Sequence, residues 1–264
     1  MTLDETTLVA HSVAVAESAR DLGLHPCFVV GHGLGEFAAA VAAGVLDADD
    51  ALRLVRERQR LLADAERAQS GASGFVLGFR PAEVERVCAQ TRQRHGYVSV
   101  AHINARQQTL IAGNASAVEQ ALALARRLGA KTLAAKPHAG LHGLMMATVQ
   151  ARLARTAAQV AWRDAEVPLI SNADGRPLNS GTDIRSALLG QITRPVRWTA
   201  CLDTLLEQGC EHFLETGTGH LLTTLVRRHA PGVHAVAADA PAKLAAFRDR
   251  VEATHYEPAQ RLAS

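Results

Sequence analysis

Gly31-His32-Gly33-Leu34-Gly35-Glu36 is the stretch whose reading decides the fold. The apolar run Cys27-Phe28-Val29-Val30 leads into it, and the alanine-rich run Phe37 to Ala43 leads out. Strand, sharp turn and helix is the setting in which a G-x-S-x-G motif lifts one side chain clear of a sheet, over a helix N-terminus whose backbone N–H groups face an oxyanion. Both outer glycines of that window, Gly31 and Gly35, are in place. The middle position, where a serine hydroxyl belongs, is Gly33. The scaffold for a nucleophile is present without the nucleophile.

Working outward, residues 4 to 22 read as a helix, with Leu8, Val9, Ser12, Val13, Ala16 and Ala19 at helical spacing and Gly23 as its stop. After Gly44, Asp47 is the expected N-cap of a further helix carrying Ala51, Leu52, Leu54, Val55, Leu61 and Leu62. Ser70-Gly71-Ala72-Ser73-Gly74 reads as a linker. Beyond it come a strand (Phe75 to Phe79), a helix (Pro81 to Arg94), two strands (Tyr97 to Ile103 and Thr109 to Ala112), a helix (Ala115 to Leu128) and a strand (Lys131 to Ala135). The order β-α-β-β-α-β is that of a ferredoxin-like unit, bounded by the linker and Pro137. The remainder reads as helix (Leu141 to Val160), strand (Pro168 to Ser171), turn (Asp174-Gly175), two helices (about Asp183 to Leu189 and Trp198 to Glu207) and a short strand at Phe213-Leu214. A helix from His220 to Arg228, a strand from Val233 to Ala237 and a helix from Pro241 to Ala253, followed by a polar tail, complete it.

Composition sets the outer limits. The chain of 264 residues is 48% hydrophobic and 20% charged, enough to bury a substantial core in one large domain or two modest ones. A net charge of +2 points to neither nucleic acid nor an anionic membrane surface, and Arg53, Arg56, Arg58 and Arg60 are interleaved with Asp49, Asp50 and Glu57 in the manner of a solvated helix face. Cys27, Cys88, Cys201 and Cys210 have no C-x-x-C spacing, and Cys27 and Cys88 sit in apolar patterns as expected of core residues. A reduced, cytoplasmic protein without leader or membrane span is expected. The scattered histidines lack ligand spacing, so no metal site is expected, and nothing in the sequence asks for a cofactor.

GHGLGE followed by Leu52 to Arg58 resembles the malonyl-CoA:acyl-carrier-protein acyltransferase family of fatty-acid and polyketide synthases. VAHINARQQTLIAG (100–113), His142-Gly143-Leu144-Met145, Ser171-Asn172, Gln191, Pro195-Val196-Arg197-Trp198 and Glu215-Thr216-Gly217-Thr218-Gly219 extend the match in order. The resemblance implies an α/β protein: an α/β-hydrolase-like large domain (1–70 and 137–264) with an inserted ferredoxin-like small domain (71–136). In that family a serine takes the acyl group from CoA as an ester and passes it to the phosphopantetheine thiol of a carrier protein. A histidine acts as base, and an arginine grips the extender carboxylate.

Carried over residue by residue, the resemblance puts Gly33 at the nucleophile position, His142 at the base, and Leu34 at a backbone oxyanion donor. A carbonyl near Gln191 orients the histidine. Arg58, 25 residues after Gly33, matches the carboxylate grip, a task suited to a guanidinium because it can make two parallel hydrogen bonds. His32 is expected either to face the acyl group or to be buried and hydrogen-bonded, and Asn104 and Gln107 are candidates to line the cleft between the two domains. Ala139-Gly140-Leu141 departs from the family's aromatic-containing tetrads, so acyl preference is unreadable. The family pattern also opens with a strand and a G-Q-G-S-Q-like turn supplying a second oxyanion donor. Nothing matching it precedes Thr2, so an uncovered sheet edge beside Cys27 to Val30 is expected, to be covered by rearrangement, a second copy or a partner chain.

With Gly33 at the elbow, the expected function is a binding or accessory homologue that forms no acyl-enzyme. Its expected partners are an acyl carrier protein or synthase module, and malonyl-CoA or another acyl-CoA. The alternatives are an enzyme of altered chemistry, in which His142 activates water or a thiol for thioester hydrolysis, decarboxylation or direct transfer, and a split protein completed by another polypeptide.

Overall fold

The computed structural model describes residues 4–68, 71–135, 143–238 and 240–261. Helix α1 (Glu5–Asp21) is capped by Asp4, whose Oδ1 accepts from Thr7 N at 2.9 Å. The chain leaves it through Gly23, at φ 82°. Strand β1 (Val29–Val30) is shorter than the apolar run from Cys27 suggests: only these two residues enter a ladder, and Cys27 is exposed where a core thiol is expected. Helices α2 (Gly35–Ala42) and α3 (Ala48–Ala68) follow. Asp47 stands directly ahead of α3, and its carboxylate receives two hydrogen bonds from Arg163. The stripe that α3 buries is Ala51, Leu54, Val55, Arg58 and Leu61, a helical apolar row with one guanidinium set into it.

The expected linker is instead the first half of a strand. Strand β2 (Gly71–Leu77) is followed by α4 (Pro81–His95), β3 (Val98–Ala105), β4 (Gln108–Asn114), α5 (Ala115–Arg127) and β5 (Lys131–Ala134). The four strands form one antiparallel sheet in the order β3-β4-β2-β5. Packing explains the loop-like composition of residues 71–74. A Cβ on Gly74 would lie 2.6 Å from Leu122 Cδ1, so glycine lets α5 settle onto the strand without a shift of that side chain. Val76, Val84, Val87, Cys88, Val98, Ile111, Val118 and Ala121 form the core between this sheet and its helices. Each fully buried Val or Ile there contributes roughly 1.5–3 kcal/mol relative to exposure.

After a 3-10 turn (Leu144–Met146) come α6 (Ala147–Ala157), β6 (Leu169–Ile170), β7 (Pro177–Leu178), α7 (Gly181–Gly190) and α8 (Trp198–Glu207). Strand β1 pairs parallel with β6, and β6 pairs antiparallel with β7, giving the order β1-β6-β7. Among the described residues β1 has no ladder partner on its other side. Strands β8 (His212–Glu215) and β9 (His234–Ala237) pair parallel around α9 (Leu221–His229). The Glu215 carboxylate caps α9, accepting from Leu222 N at 3.0 Å and Thr223 N at 2.7 Å. Helix α10 (Pro241–Arg261) runs past Ala253, where a polar tail is expected from the sequence.

One junction sets the geometry of the elbow's surroundings. Ile103 N donates to Val196 O and Val196 N to Ala101 O, both at 2.8 Å, so β3 is joined edge-on to the segment leading into α8. Among the described residues no helix is long and apolar enough to cross a membrane.

Candidate functional site

The elbow forms as its glycines dictate, though not all of them for the same reason. Gly33 has φ 55°, the left-handed conformation that L side chains adopt only with strain. At Gly31 the constraint is space: a Cβ would sit 2.1 Å from Glu36 N and 2.2 Å from Glu36 Cα. Around Gly35 a Cβ would meet nothing within 4 Å, so that outer glycine is not sterically required. Leu34 occupies the N-cap position of α2, and the N–H groups of Gly35, Glu36 and Phe37 turn back onto the carbonyls of His32, Gly33 and Leu34. The N–H of Leu34 therefore lies at the open end of the helix, as an oxyanion donor requires.

Beneath the turn is a carboxyl group that sequence reasoning did not assign to the site. Glu36 is 1% exposed, and its Oε1 accepts from Asn172 N at 3.0 Å. Asn172 Nδ2 also donates to Gly31 O at 3.3 Å, so the turn after β6 is tied to both ends of the elbow. Burial pushes the Glu36 carboxyl up to about 8; the Asn172 N–H opposes this and the nearby Asp174 adds to it. Glu36 is therefore largely neutral at pH 7. The signal was present in the quoted stretch and in the Ser171-Asn172 landmark, but the contact between them spans 136 residues.

Of the expected site residues, His32 and Asn104 are brought together: His32 Nε2 donates to Asn104 Oδ1 at 2.8 Å. Asn104 is 5% exposed and lies in the irregular last turn of the β3 ladder. The His32 ring is enclosed edge-on by His102, with centroids 4.9 Å apart, and by the buried Trp198, at 5.4 Å. Burial holds the His32 pKa below the ordinary imidazole value, against the opposing effect of the Asn104 bond. Neither His102 nor Trp198 stood out as a site residue in the sequence; the junction of β3 with α8 brings them there. Gln107 is exposed at the turn between β3 and β4.

Gln191 is buried, 1% exposed, at the C-cap of α7. Arg58 is equally buried, and its Nη1 donates to Oε2 of Glu5 in the first turn of α1. His142 lies outside the described residues. Its neighbour Gly143 is packed closely on β3 and the residue before it: a Cβ there would lie 2.9 Å from both Ser99 Oγ and Tyr97 Oη. Among the described residues no group of three or more His, Cys, Asp or Glu side chains is arranged to hold a metal ion.

The arrangement is a strand–turn–helix elbow whose apex, Gly33, has only hydrogen as its side chain. Comparison with known proteins agrees with this geometry. Residues 5–246 match the model of the acyl transferase domain family. The malonyl CoA-acyl carrier protein transacylase of Escherichia coli K12 is 34% identical over 225 residues, covering 85% of this chain and 72% of that protein. Its namesake in Bacillus subtilis 168 is 32% identical, covering 85% and 71%. The crystal structure of an acyl carrier protein S-malonyltransferase from Vibrio cholerae superposes with a TM-score of 0.88 at 34% identity, covering 92% of this chain and 79% of that one. A malonyl-transacylase in complex with a type II polyketide-synthase acyl-carrier protein gives a TM-score of 0.89 at 32% identity, covering 93% and 80%. The chain belongs to the malonyl-CoA:acyl-carrier-protein transacylase family, within the acyl transferase domain proteins.

Proposed function

We propose that this protein is a binding or accessory member of its family. It engages an acyl carrier protein or acyl-CoA in fatty-acid or polyketide biosynthesis without forming an acyl-enzyme. The single observation that carries this reading is Gly33: the elbow holds its apex at φ 55°, the geometry that presents a nucleophile, on a residue with no side chain. His142 is the base of the family pattern, Leu34 N–H its oxyanion donor and Gln191 its orienting neighbour. Arg58, His32 and Asn104 line the acyl site. The hydrogen bond between His32 and Asn104 and the burial of Arg58 and Gln191 support that assignment.

The same reading divides the chain into an α/β-hydrolase-like large domain, residues 1–70 and 137–264, and a ferredoxin-like small domain, residues 71–136. The antiparallel order β3-β4-β2-β5 around a β-α-β-β-α-β run supports the second of these. The open side of β1 is where a second copy or a partner chain would pair. The protein works in the cytoplasm.

The test is a carrier-protein experiment. Acyl-loaded carrier protein should bind in equilibrium titration, while no acyl group moves from malonyl-CoA or acetoacetyl-CoA to the unloaded carrier. Thioester hydrolysis that exceeds background and disappears in His142→Ala would replace this reading with the altered-chemistry enzyme.

A further inference from the structure

Arg58 is among the largest side chains of the protein with almost no access to solvent, 1% exposed on the apolar stripe of α3. A guanidinium does not shed its proton, so its burial demands an anion. The protein supplies one itself: Arg58 Nη1 donates to Glu5 Oε2. Within the pair the arginine is sealed off and the Glu5 side chain keeps 28% of its exposure, so the carboxylate is the end that meets solvent. Glu5 also suits the positive end of the α1 dipole, but it is not the helix cap. The capping of α1 is done by Asp4, which accepts from both Thr7 N and Thr7 Oγ1. Arg58 Nε–H, buried, has no acceptor among the described residues.

We propose that Glu5 determines acyl specificity by occupying the guanidinium of Arg58, so that the site takes acyl groups without a free carboxylate and turns away malonyl-type half-thioesters. The inference rests on the reading of Arg58 as the arginine that faces the acyl group. An incoming carboxylate would find its partner already neutralised and a second anion beside it, and like charges at a desolvated site repel. An uncharged oxygen meets no such penalty.

Isothermal titration of the full chain with malonyl-CoA and acetoacetyl-CoA tests this directly. The two thioesters have nearly the same shape, but acetoacetyl-CoA carries a methyl where malonyl-CoA carries an anionic oxygen. The wild-type protein is expected to bind acetoacetyl-CoA at least tenfold more tightly. Glu5→Gln should gain at least tenfold in affinity for malonyl-CoA, and adding Arg58→Met should abolish that gain. Glu5→Asp keeps the charge and should keep the wild-type preference, and the wild-type comparison alone decides the matter should a variant fail to fold. Equal affinities in the wild type, unchanged in Glu5→Gln, would overturn the inference while leaving the acyl site in place, because thioesters would still bind. If no thioester binds to folded wild type or to any folded variant, the acyl-site reading fails and the inference falls with it.

Discussion

The backbone N–H of Asn172 donates to Glu36 Oε1 at 3.0 Å, fastening the turn after β6 to the first turn of α2. The bond makes the elbow a long-range structure, held from outside its own segment. It also fixes a buried titrating carboxyl in the first turn of α2, and that has a thermodynamic consequence.

Glu36 releases its proton near 4.5 in the unfolded chain and near 8 in the folded one. Between those values the folded state holds the proton that the unfolded state has lost. Stability therefore falls as pH rises through this window and levels off above it. Glu36→Gln keeps an oxygen for Asn172 and removes the titration. The variant should match the wild type near pH 4.5 and exceed it near pH 8 by on the order of 3–5 kcal/mol. Urea unfolding of both proteins across pH 4.5 to 8 reads the difference, and parallel curves would count against a buried neutral Glu36.

The two outer glycines of the motif should respond oppositely to a methyl group. Gly31→Ala drives a Cβ into the Glu36 backbone, which cannot move aside as a side-chain tip can, and should cost about 3 kcal/mol. Gly35→Ala meets open space on the first residue of a helix and should stabilise by about 0.5–1 kcal/mol. Denaturation midpoints of the two variants check the contrast.

Thiol chemistry tests the packing of the core. Cys27 is exposed, whereas Cys88 and Cys201 are buried. Burial pushes the Cys88 thiol up to about 12 and raises that of Cys201 as well. A water-soluble disulfide reagent should modify Cys27 in the native protein and reach Cys88 and Cys201 only on unfolding. Peptide mapping of the labelled protein identifies the sites.

The parts of this fold readable from sequence are those governed by near neighbours. Glycine spacing and the apolar run Cys27 to Val30 located the elbow, and helical periodicity located α1, α3, α4, α5 and α8. Misreadings came where a distant contact decided the outcome. Gly71 to Gly74 have loop composition, yet they form a strand by pairing with Ile111 to Asn114 of β4, and glycine at 74 leaves room for Leu122. Strand β7 consists only of Pro177–Leu178, too short for any alternation to mark it. The site divides in the same way. His32 and Asn104 stand in stretches already singled out in the sequence, whereas His102 and Trp198 reach His32 only through the pairing of β3 with the segment before α8. The pairing of Arg58 with Glu5 joins residues 53 apart on two helices, and no periodicity announces it.

The central claim is chemical: an apex without an oxygen makes no ester. Incubation of the wild-type protein with saturating malonyl-CoA and, separately, with acetoacetyl-CoA, each followed by intact-mass measurement, addresses it most directly. The expected spectra show the unmodified chain alone. A species heavier by one acyl group, stable to denaturation, would contradict the account.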